Sequence, residues 1–217
     1  MAKTTAPLLS FGGLGQIGKS VVFSVWRGVT YARQYTIPSN PKTAAQTSTR
    51  TTFKTLQSIW LRLGPFAQNV WSKAASGRPY TDRNRHTQVN LPLMRGQADC
   101  QDYLGSPGVA GGPPLTGMVA AGGGASGEID VDFTVSAVPD GWTLVRTVAM
   151  AFVDQDPETV FSAVITEDEA TVAPWDITLS GLVPNTLHVV TGWQEFTKPD
   201  GSFAASIATT TTATSTA

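Results

Sequence analysis

The sequence predicts an α+β module in the first half of the chain and an all-β sandwich in the second half. Apolar residues recur at three- and four-residue steps between residues 45 and 75, but after residue 128 they alternate with polar residues. A glycine- and proline-rich stretch, residues 96–127, lies between the two patterns. The charge divides in the same region, with a net +11 over residues 1–100 and a net −12 over residues 101–217.

The composition argues against several classes of protein. The 217 residues include one cysteine, Cys100, so we expect neither an intrachain disulfide nor a cysteine-based metal site. The apolar runs are shorter than the ~18–20 residues of a membrane span, and we expect no secretory signal. The charge asymmetry indicates a partner of opposite charge: a nucleic acid, an acidic protein surface or a neighbouring copy. Two domains with ordinary surface charge are the alternative.

The first 18 residues are small, apolar and glycine-rich, which predicts an extended arm over residues 1–18. Residues 19–26 and 29–37 are rich in β-branched and aromatic side chains, and Arg27-Gly28 separates them. This pattern predicts a β-hairpin. One face of its second strand carries Val29, Tyr31, Arg33 and Tyr35.

Helices are predicted after the hairpin and complete an anchoring module over residues 19–95. Asn40 and Pro41 predict a helix start, with Asn40 as the cap and Pro41 at the first helical position. The first helix ends at Gly64-Pro65, and Pro65 opens a second helix that ends at Gly77, giving a helical hairpin. A third short helix is predicted from Thr81 to Asn90. The apolar stripe of the first helix consists of Phe53, Leu56, Trp60 and Leu63.

The second half shows strand patterns separated by turn signals. We predict a flexible linker over residues 96–127, a β-sandwich over 128–210 and a flexible tail over 211–217. Short strands with regular turns are typical of an immunoglobulin-like sandwich. The predicted strands are Ile129–Val135, Thr143–Val153, Val160–Thr166, Trp175–Ser180, Thr186–Phe196 and Ser202–Thr210.

One motif indicates phosphate binding, but the residues that follow it argue against that function. Residues 13–20 match the P-loop pattern, which requires a helix directly after the loop to bind phosphate. Residues 21–26 are mostly β-branched, so they predict a strand. The acidic residues 167–169 fit a solvated loop better than a cation site. We therefore predict no catalytic residues, no cofactor site and no metal site, with a P-loop nucleotide-binding protein as the alternative of another class.

Two stretches resemble known families. The order of Gly15-x-Ile17-Gly18, Val21-Val22-Phe23, Tyr31-x-Arg33 and Asn40-Pro41-x-Thr43-x-x-Gln46 resembles the N-terminal module of tailed-phage and prophage virion proteins. Leu182-x-Pro184-x-Thr186-x-His188 is similar to the corner before the sixth strand of fibronectin type III domains, with His188 where those domains usually have tyrosine. The first resemblance implies a virion component, and the second implies a surface-displayed module.

Together these features predict a non-enzymatic phage virion structural protein, made in the host cytoplasm and located in the virion. We expect a capsid decoration or cement protein that binds the major capsid protein or other virion proteins and self-associates on the particle. The alternative place is the tail tip, collar or fibre. We expect no small-molecule substrate and no membrane partner, and we disfavour nucleic acid. The predicted partner-binding residues are Phe11, Trp26, Arg27, Tyr31, Arg33, Arg83 and Arg85.

Overall fold

The computed structural model describes residues 2–3, 14–37, 39–40, 42–134, 137–159, 161 and 163–217. Contacts divide the chain into two compact units, Met1–Lys42 (unit 1) and Thr43–Ala217 (unit 2). Across the described residues the fold is α+β and mostly antiparallel β-sheet, in agreement with the predicted mixed class. The division between the units lies at residue 42, whereas the sequence predicts a boundary at residues 96–127.

Unit 1 contains a four-stranded antiparallel sheet with the order β1-β4-β3-β2. Arg27 and Gly28 form the two-residue turn between β3 and β4, with φ angles of 50° and 78°. Positive φ at both positions is typical of hairpin turns that match the twist of the strands. The predicted hairpin is therefore present, and β2 adds a strand where the sequence predicts only an extended arm. The strands are β1 (Ala2–Lys3), β2 (Gly15–Ile17), β3 (Val21–Trp26) and β4 (Val29–Gln34).

Unit 2 begins with the helices α1 (Ala44–Trp60), α2 (Pro65–Ala75) and α3 (Asp82–Met94). The predicted cap at Asn40 is wrong, because Thr43 is the N-cap of α1 and its hydroxyl accepts a hydrogen bond from the Gln46 N–H. Helix α2 begins at Pro65 and ends just before Gly77, as predicted, whereas α1 already ends at Trp60, four residues before Gly64. Helix α3 extends past the predicted end at Asn90 and includes Pro92.

The remaining strands of unit 2 form two antiparallel sheets. The six-stranded sheet has the order β5-β12-β11-β8-β9, with β13 also paired to β11, and the three-stranded sheet has the order β10-β7-β6. The strands are β5 (Pro107–Val109), β6 (Gly117–Gly122), β7 (Ile129–Thr134), β8 (Thr143–Val153), β9 (Thr166–Ala170), β10 (Ile177–Leu179), β11 (Leu187–Thr197), β12 (Phe203–Ile207) and β13 (Thr209–Thr214).

Two hydrophobic cores make unit 2 a stack of three layers. The helices pack on one face of the six-stranded sheet, where Leu56 and Trp71 share a core with Phe152. The three-stranded sheet packs on the opposite face, where Val131 shares a second core with Ala149. Side chains alternate across β8, so its odd and even residues serve different cores. This arrangement explains why β8 is buried on both faces from Thr147 to Phe152.

The glycine- and proline-rich stretch, residues 96–127, is part of the packed unit. It contains β5 and β6, which pair with β12 and β7, and it contributes the buried side chain of Tyr103 to the core under the helices. A Cβ atom at Gly105 would lie 2.9 Å from Thr191 and Trp193. At Gly112 it would overlap the backbone of Ala205. At these positions glycine allows close packing, so the stretch differs from the predicted flexible linker.

Two further segments differ from the sequence predictions. Residues 211–214 of the segment predicted as a tail lie in β13, and the Ser215 Oγ that follows donates a hydrogen bond of 2.6 Å to the Val183 carbonyl. The predicted strand Val160–Thr166 lies elsewhere, because β9 covers Thr166–Ala170 and contains the acidic residues predicted as a loop. Val160 lies outside the described residues.

Candidate interaction surface

The sheet of unit 1 has no buried core among residues 14–37, because every side chain there is exposed or half-buried. Trp26 is 67% exposed and Ile37 is 75% exposed. A sheet is normally stabilised by packing at least one apolar face against another layer. Large apolar side chains left on such a sheet mark an interaction surface. Unit 1 is therefore the candidate functional site of the chain.

One face of this sheet brings together three of the predicted partner-binding residues. Trp26 pairs with Val29 and Arg33 pairs with Val22 across the β3–β4 hairpin, and Tyr31 lies opposite Ser24. Paired residues of antiparallel strands point to the same face, and the period of two places these pairs together. We name this face the hairpin face and define it by Val22, Trp26, Val29, Tyr31 and Arg33.

Arg27 lies at the turn of the hairpin and contacts the edge of the hairpin face. Its guanidinium carbon lies 4.9 Å from the centre of the Trp26 ring, which is a cation–π geometry. Arginine and tryptophan are both enriched among the residues that contribute most to protein–protein binding. The pair gives the tip of the hairpin a large apolar surface next to a fixed positive charge.

A depression of about 420 Å³ lies at the other end of the hairpin face. Val22 and Arg33 line it together with Tyr35 and Ile37, which follow β4. The lining also contains Gln16 and Thr36, and its mixture of apolar side chains with one cation suits an inserted apolar side chain that is accompanied by a carboxylate. The depression can therefore accept an anchor residue from a protein partner.

The charge of unit 1 has one sign. Residues 1–42 contain five lysines and arginines and no aspartate or glutamate. Among the described residues, both recorded ion pairs lie in unit 2 and use Arg146. The cations of the hairpin face are therefore available to a partner, and complementary charge on that partner would accelerate its encounter with unit 1.

The P-loop-like residues belong to this sheet. Gly18 and Lys19 form a turn with φ angles of 50° and 56°, and the Ser20 Oγ donates to the Ile17 carbonyl at 3.0 Å. Strand β3 follows at Val21, as the sequence predicts. Lys19 and Ser20 thus precede a strand, whereas phosphate binding by this motif uses the N–H groups of a helix.

The other predicted partner-binding residues are not part of the hairpin face. Arg83 and Arg85 belong to α3 in unit 2. Arg83 donates a hydrogen bond to the Gln57 side chain, and Arg85 donates one of 3.1 Å to the Gln88 side chain. Phe11 lies outside the described residues. The structure thus groups Trp26, Tyr31 and Arg33, with Arg27 at their edge.

The nucleophilic and titratable candidates of unit 2 are core residues. His86 is fully buried between Trp60 and Trp71, its Nε2 lies 3.0 Å from the Tyr103 hydroxyl, and burial lowers its pKa to about 3. The Cys100 thiol donates to the Gln155 carbonyl at 3.1 Å. Burial, reinforced by the Asp154 carboxylate, raises the pKa of this thiol to about 12. A neutral, buried thiol is a poor nucleophile, so these groups serve packing.

His188 occupies the position at which the fibronectin type III resemblance expects tyrosine. It is buried at the start of β11, and its Nδ1 lies 2.7 Å from the Thr186 carbonyl. The histidine thus makes a bond to backbone just upstream, as the corner tyrosine does with its hydroxyl. The contact fixes the entry of the chain into β11.

Within the described ranges, no three histidine, cysteine, aspartate or glutamate side chains lie together as metal ligands would. None of the helices there combines the length and apolar character that a membrane crossing requires. No protein-family model and no curated protein sequence matches this chain.

Sequence reasoning missed part of the site. Val22 belongs to the hairpin face and, with Ile37, lines its depression, but the sequence pattern predicted both only as strand residues. The signal was present, because strict alternation within β3 places Val22 beside Trp26 on one face. What the alternation could not reveal was that no helix or second sheet of unit 1 covers this face in the described residues.

Proposed function

We propose that the chain is a non-enzymatic virion structural protein of a tailed phage. In this proposal unit 1 attaches the chain to the particle, and unit 2 is the displayed body. The hairpin face carries the proposal, since it is apolar, basic and without a core of its own. The resemblance of residues 15 to about 90 to virion modules supports the same assignment, because the hairpin lies within the matching residues.

Within the virion we propose a capsid decoration or cement role, with the major capsid protein as partner. Cement proteins bridge neighbouring subunits, and a small sheet with unpaired edges can join the sheet of another protein. Strand β2 is the outer strand at one end of the sheet of unit 1. A location at the tail tip, collar or fibre uses the same attachment surface and differs in copy number.

The proposal extends to the fold of the two sheets of unit 2. We propose that the two packed sheets of unit 2 are a variant of the immunoglobulin-like or fibronectin III-like sandwich. Their antiparallel strands, their face-to-face core and the His188 corner support it. The helices on the outer face of the six-stranded sheet are an addition to that architecture.

Particle binding tests the attachment surface. Trp26→Ala and Arg33→Glu should each weaken co-sedimentation of the purified chain with particles that lack it, by about 2 kcal/mol or roughly 30-fold for the tryptophan. The matched controls are Val172→Ala and Lys198→Glu, which change an exposed apolar side chain and a cation in unit 2. Wild-type binding by both hairpin variants would contradict the attachment role.

Mass spectrometry of purified particles tests the location. A decoration protein should be present in hundreds of copies, whereas a tail or portal component should be present in about three to twelve, because ring symmetry sets its number. Absence of the chain from the particles would refute the virion assignment itself.

A further inference from the structure

The two outer faces of unit 2 carry opposite charge. Residues 43–95, which form the helical layer, contain eight lysines and arginines and one acid, Asp82. Residues 96–217, which form the sheets, contain two basic and 15 acidic residues. The helices lie on one side of the six-stranded sheet and the three-stranded sheet lies on the other. The helical layer is therefore basic, and the acidic residues are distributed over the two sheets and their loops, including Glu167, which contacts α2.

The outer surface of α1 shows the basic side most clearly. Its core-facing residues include Thr52, Leu56 and Ile59, which are buried. Arg50 and Lys54 lie about half a turn away from these residues on the helix, and both are exposed. Two large apolar side chains accompany them, since Phe53 of α1 is 47% exposed and Leu61, the C-cap of α1, is 71% exposed. We call this surface the basic face.

The outer surface of the three-stranded sheet is its acidic counterpart. In β7, Val131 points into the core, so Asp130 and Asp132 point outward. Asp130 accepts a hydrogen bond of 2.7 Å from the Thr178 hydroxyl of β10, and Asp132 pairs with Val119 of β6, which is 64% exposed. Asp176 precedes β10 and is exposed. We call this surface the acidic face.

Neither face is neutralised by an ion pair within the part of the chain that the structure describes. Among the described residues, the recorded ion pairs join Arg146 to Glu169 and Glu195, which lie on neither face. The other basic residue of the sheets, Lys198, lies over the Trp142 ring at 5.1 Å. The described residues therefore provide no ion-pair partner for Arg50, Lys54 or Asp132.

We propose that the basic face of one copy docks on the acidic face of a second copy. Charge complementarity between two faces of the same unit identifies the partner as this chain. The exposed Leu61 and Phe53 on one side and Val119 on the other supply apolar contact between the charged groups. Because the two faces differ, the contact is heterologous, and it repeats from copy to copy until a ring closes or a lattice is covered.

A nucleic acid would engage the basic face alone. It would leave the acidic face without a partner and would be repelled by it, whereas a second copy uses both faces. The observations therefore favour self-association. The inference goes beyond the proposed attachment, because it uses unit 2 and its variants leave the hairpin face unchanged.

Complementary charge reversals test the contact. Arg50→Glu with Lys54→Glu reverses the basic face of the full-length chain, and Asp132→Lys with Asp176→Lys reverses the acidic face. At about 25 mM salt the wild type should form oligomers whose size grows with concentration in sedimentation velocity, and about 500 mM salt should dissociate them by screening. Each double variant should lose association by about a hundredfold, because like charges then meet.

Mixing the two double variants gives the decisive measurement. The first retains its acidic face and the second its basic face, so an equimolar mixture should associate at a salt concentration at which neither variant associates alone. A mixture that remains monomeric would overturn the proposal. A wild-type protein that remains monomeric at low salt but binds a DNA duplex would also overturn it. Circular dichroism confirms folding, and the neutral pair Arg50→Gln and Asp132→Asn provides a second test, with weaker association than the wild type expected.

Discussion

At the scale of single residues, Glu167 connects the sheet to the helical layer. Its carboxylate accepts hydrogen bonds from the backbone N–H groups of Phe66 at 3.0 Å and Ala67 at 3.2 Å, in the first turn of α2. Gly64, the N-cap of this helix, provides no side-chain cap, so an acid from β9 takes that role. Burial raises the pKa of Glu167, and these hydrogen bonds oppose the rise.

Gly64→Ala tests this contact. The added Cβ would overlap the Glu167 carboxylate, so the acid must move away from the helix N-terminus. We expect the free energy of unfolding to fall by about 2 kcal/mol, the range for overpacking combined with loss of a cap. Chemical denaturation measures it, and Gly124→Ala is the control because a Cβ there meets nothing within 4 Å. Equal stability of the two variants would contradict the role of Glu167.

His86 makes the stability of unit 2 depend on pH. Its pKa is about 3 in the folded chain and 6.5 when free, so between these values the unfolded chain binds a proton that the folded chain does not. Stability should therefore fall as the pH falls from 6.5 towards 3, by up to about 1.4 kcal/mol per pH unit from this group. Burial raises the pKa values of Glu167 and Glu195, which act in the opposite direction.

Replacing the histidine isolates its contribution. His86→Phe keeps an aromatic ring between Trp60 and Trp71 and removes the titration, while Glu167 and Glu195 remain in both proteins. Urea denaturation at several pH values should give a smaller loss of stability on acidification for the variant than for the wild type. Parallel pH profiles for the two proteins would show that folding does not lower the pKa of His86.

At the scale of elements, β8 and β11 are central because both contribute to the two cores and to one partly buried charge cluster. Arg146 of β8 binds the carboxylates of Glu169 and of Glu195, the latter at 3.2 Å, and its guanidinium lies 5.5 Å from the Phe66 ring. Glu195 is buried on β11 and also accepts from the Trp193 Nε1 at 3.3 Å. The cluster joins β9, β8 and β11 across their ladder.

Arg146→Ala should destabilise unit 2 by about 3 kcal/mol, since it leaves Glu195 buried without its cation. Adding Glu195→Ala should recover part of the loss, because the double variant contains no unpaired charge at that position. Denaturation of the two single variants and the double variant measures the coupling. Strictly additive losses would show that the two side chains do not stabilise each other.

The elements also show where sequence reasoning succeeds. Helices α1 and α2, the β3–β4 hairpin and strand β8 were predictable, because each carries its own periodicity and its own stop signals. The pairing of residues 107–122 was not predictable. Glycine in that stretch permits close contact with β11 and β12. The sequence alone does not distinguish a glycine that allows close packing from a glycine in a flexible linker.

At the scale of the whole molecule, the two units differ in how they are stabilised. Unit 2 has two buried cores, whereas residues 14–37 of unit 1 have no buried side chain. A chain that begins at Thr43 retains every residue of both cores. The thermal midpoint of residues 43–217 should therefore lie within a few degrees of that of the full chain, since most stability comes from buried apolar surface.

Calorimetry of the truncated and full-length chains measures this difference. The truncated chain should also lose particle binding, because it lacks the hairpin face. A chain 43–217 that fails to give a cooperative transition would show that unit 1 contributes to the fold of unit 2.

The sequence by itself determined the mixed fold class, the helix and hairpin positions and the charge asymmetry, because these depend on local periodicity and composition. Only the tertiary structure decided where the units divide and how the asymmetry is arranged in space. Residues far apart in the chain share the two cores, and the layers they build place the basic helices and the acidic sheet on opposite sides. The local sequence allows several arrangements, and long-range packing determines which one forms. The unit boundary and the order of the layers therefore could not be predicted from any single segment.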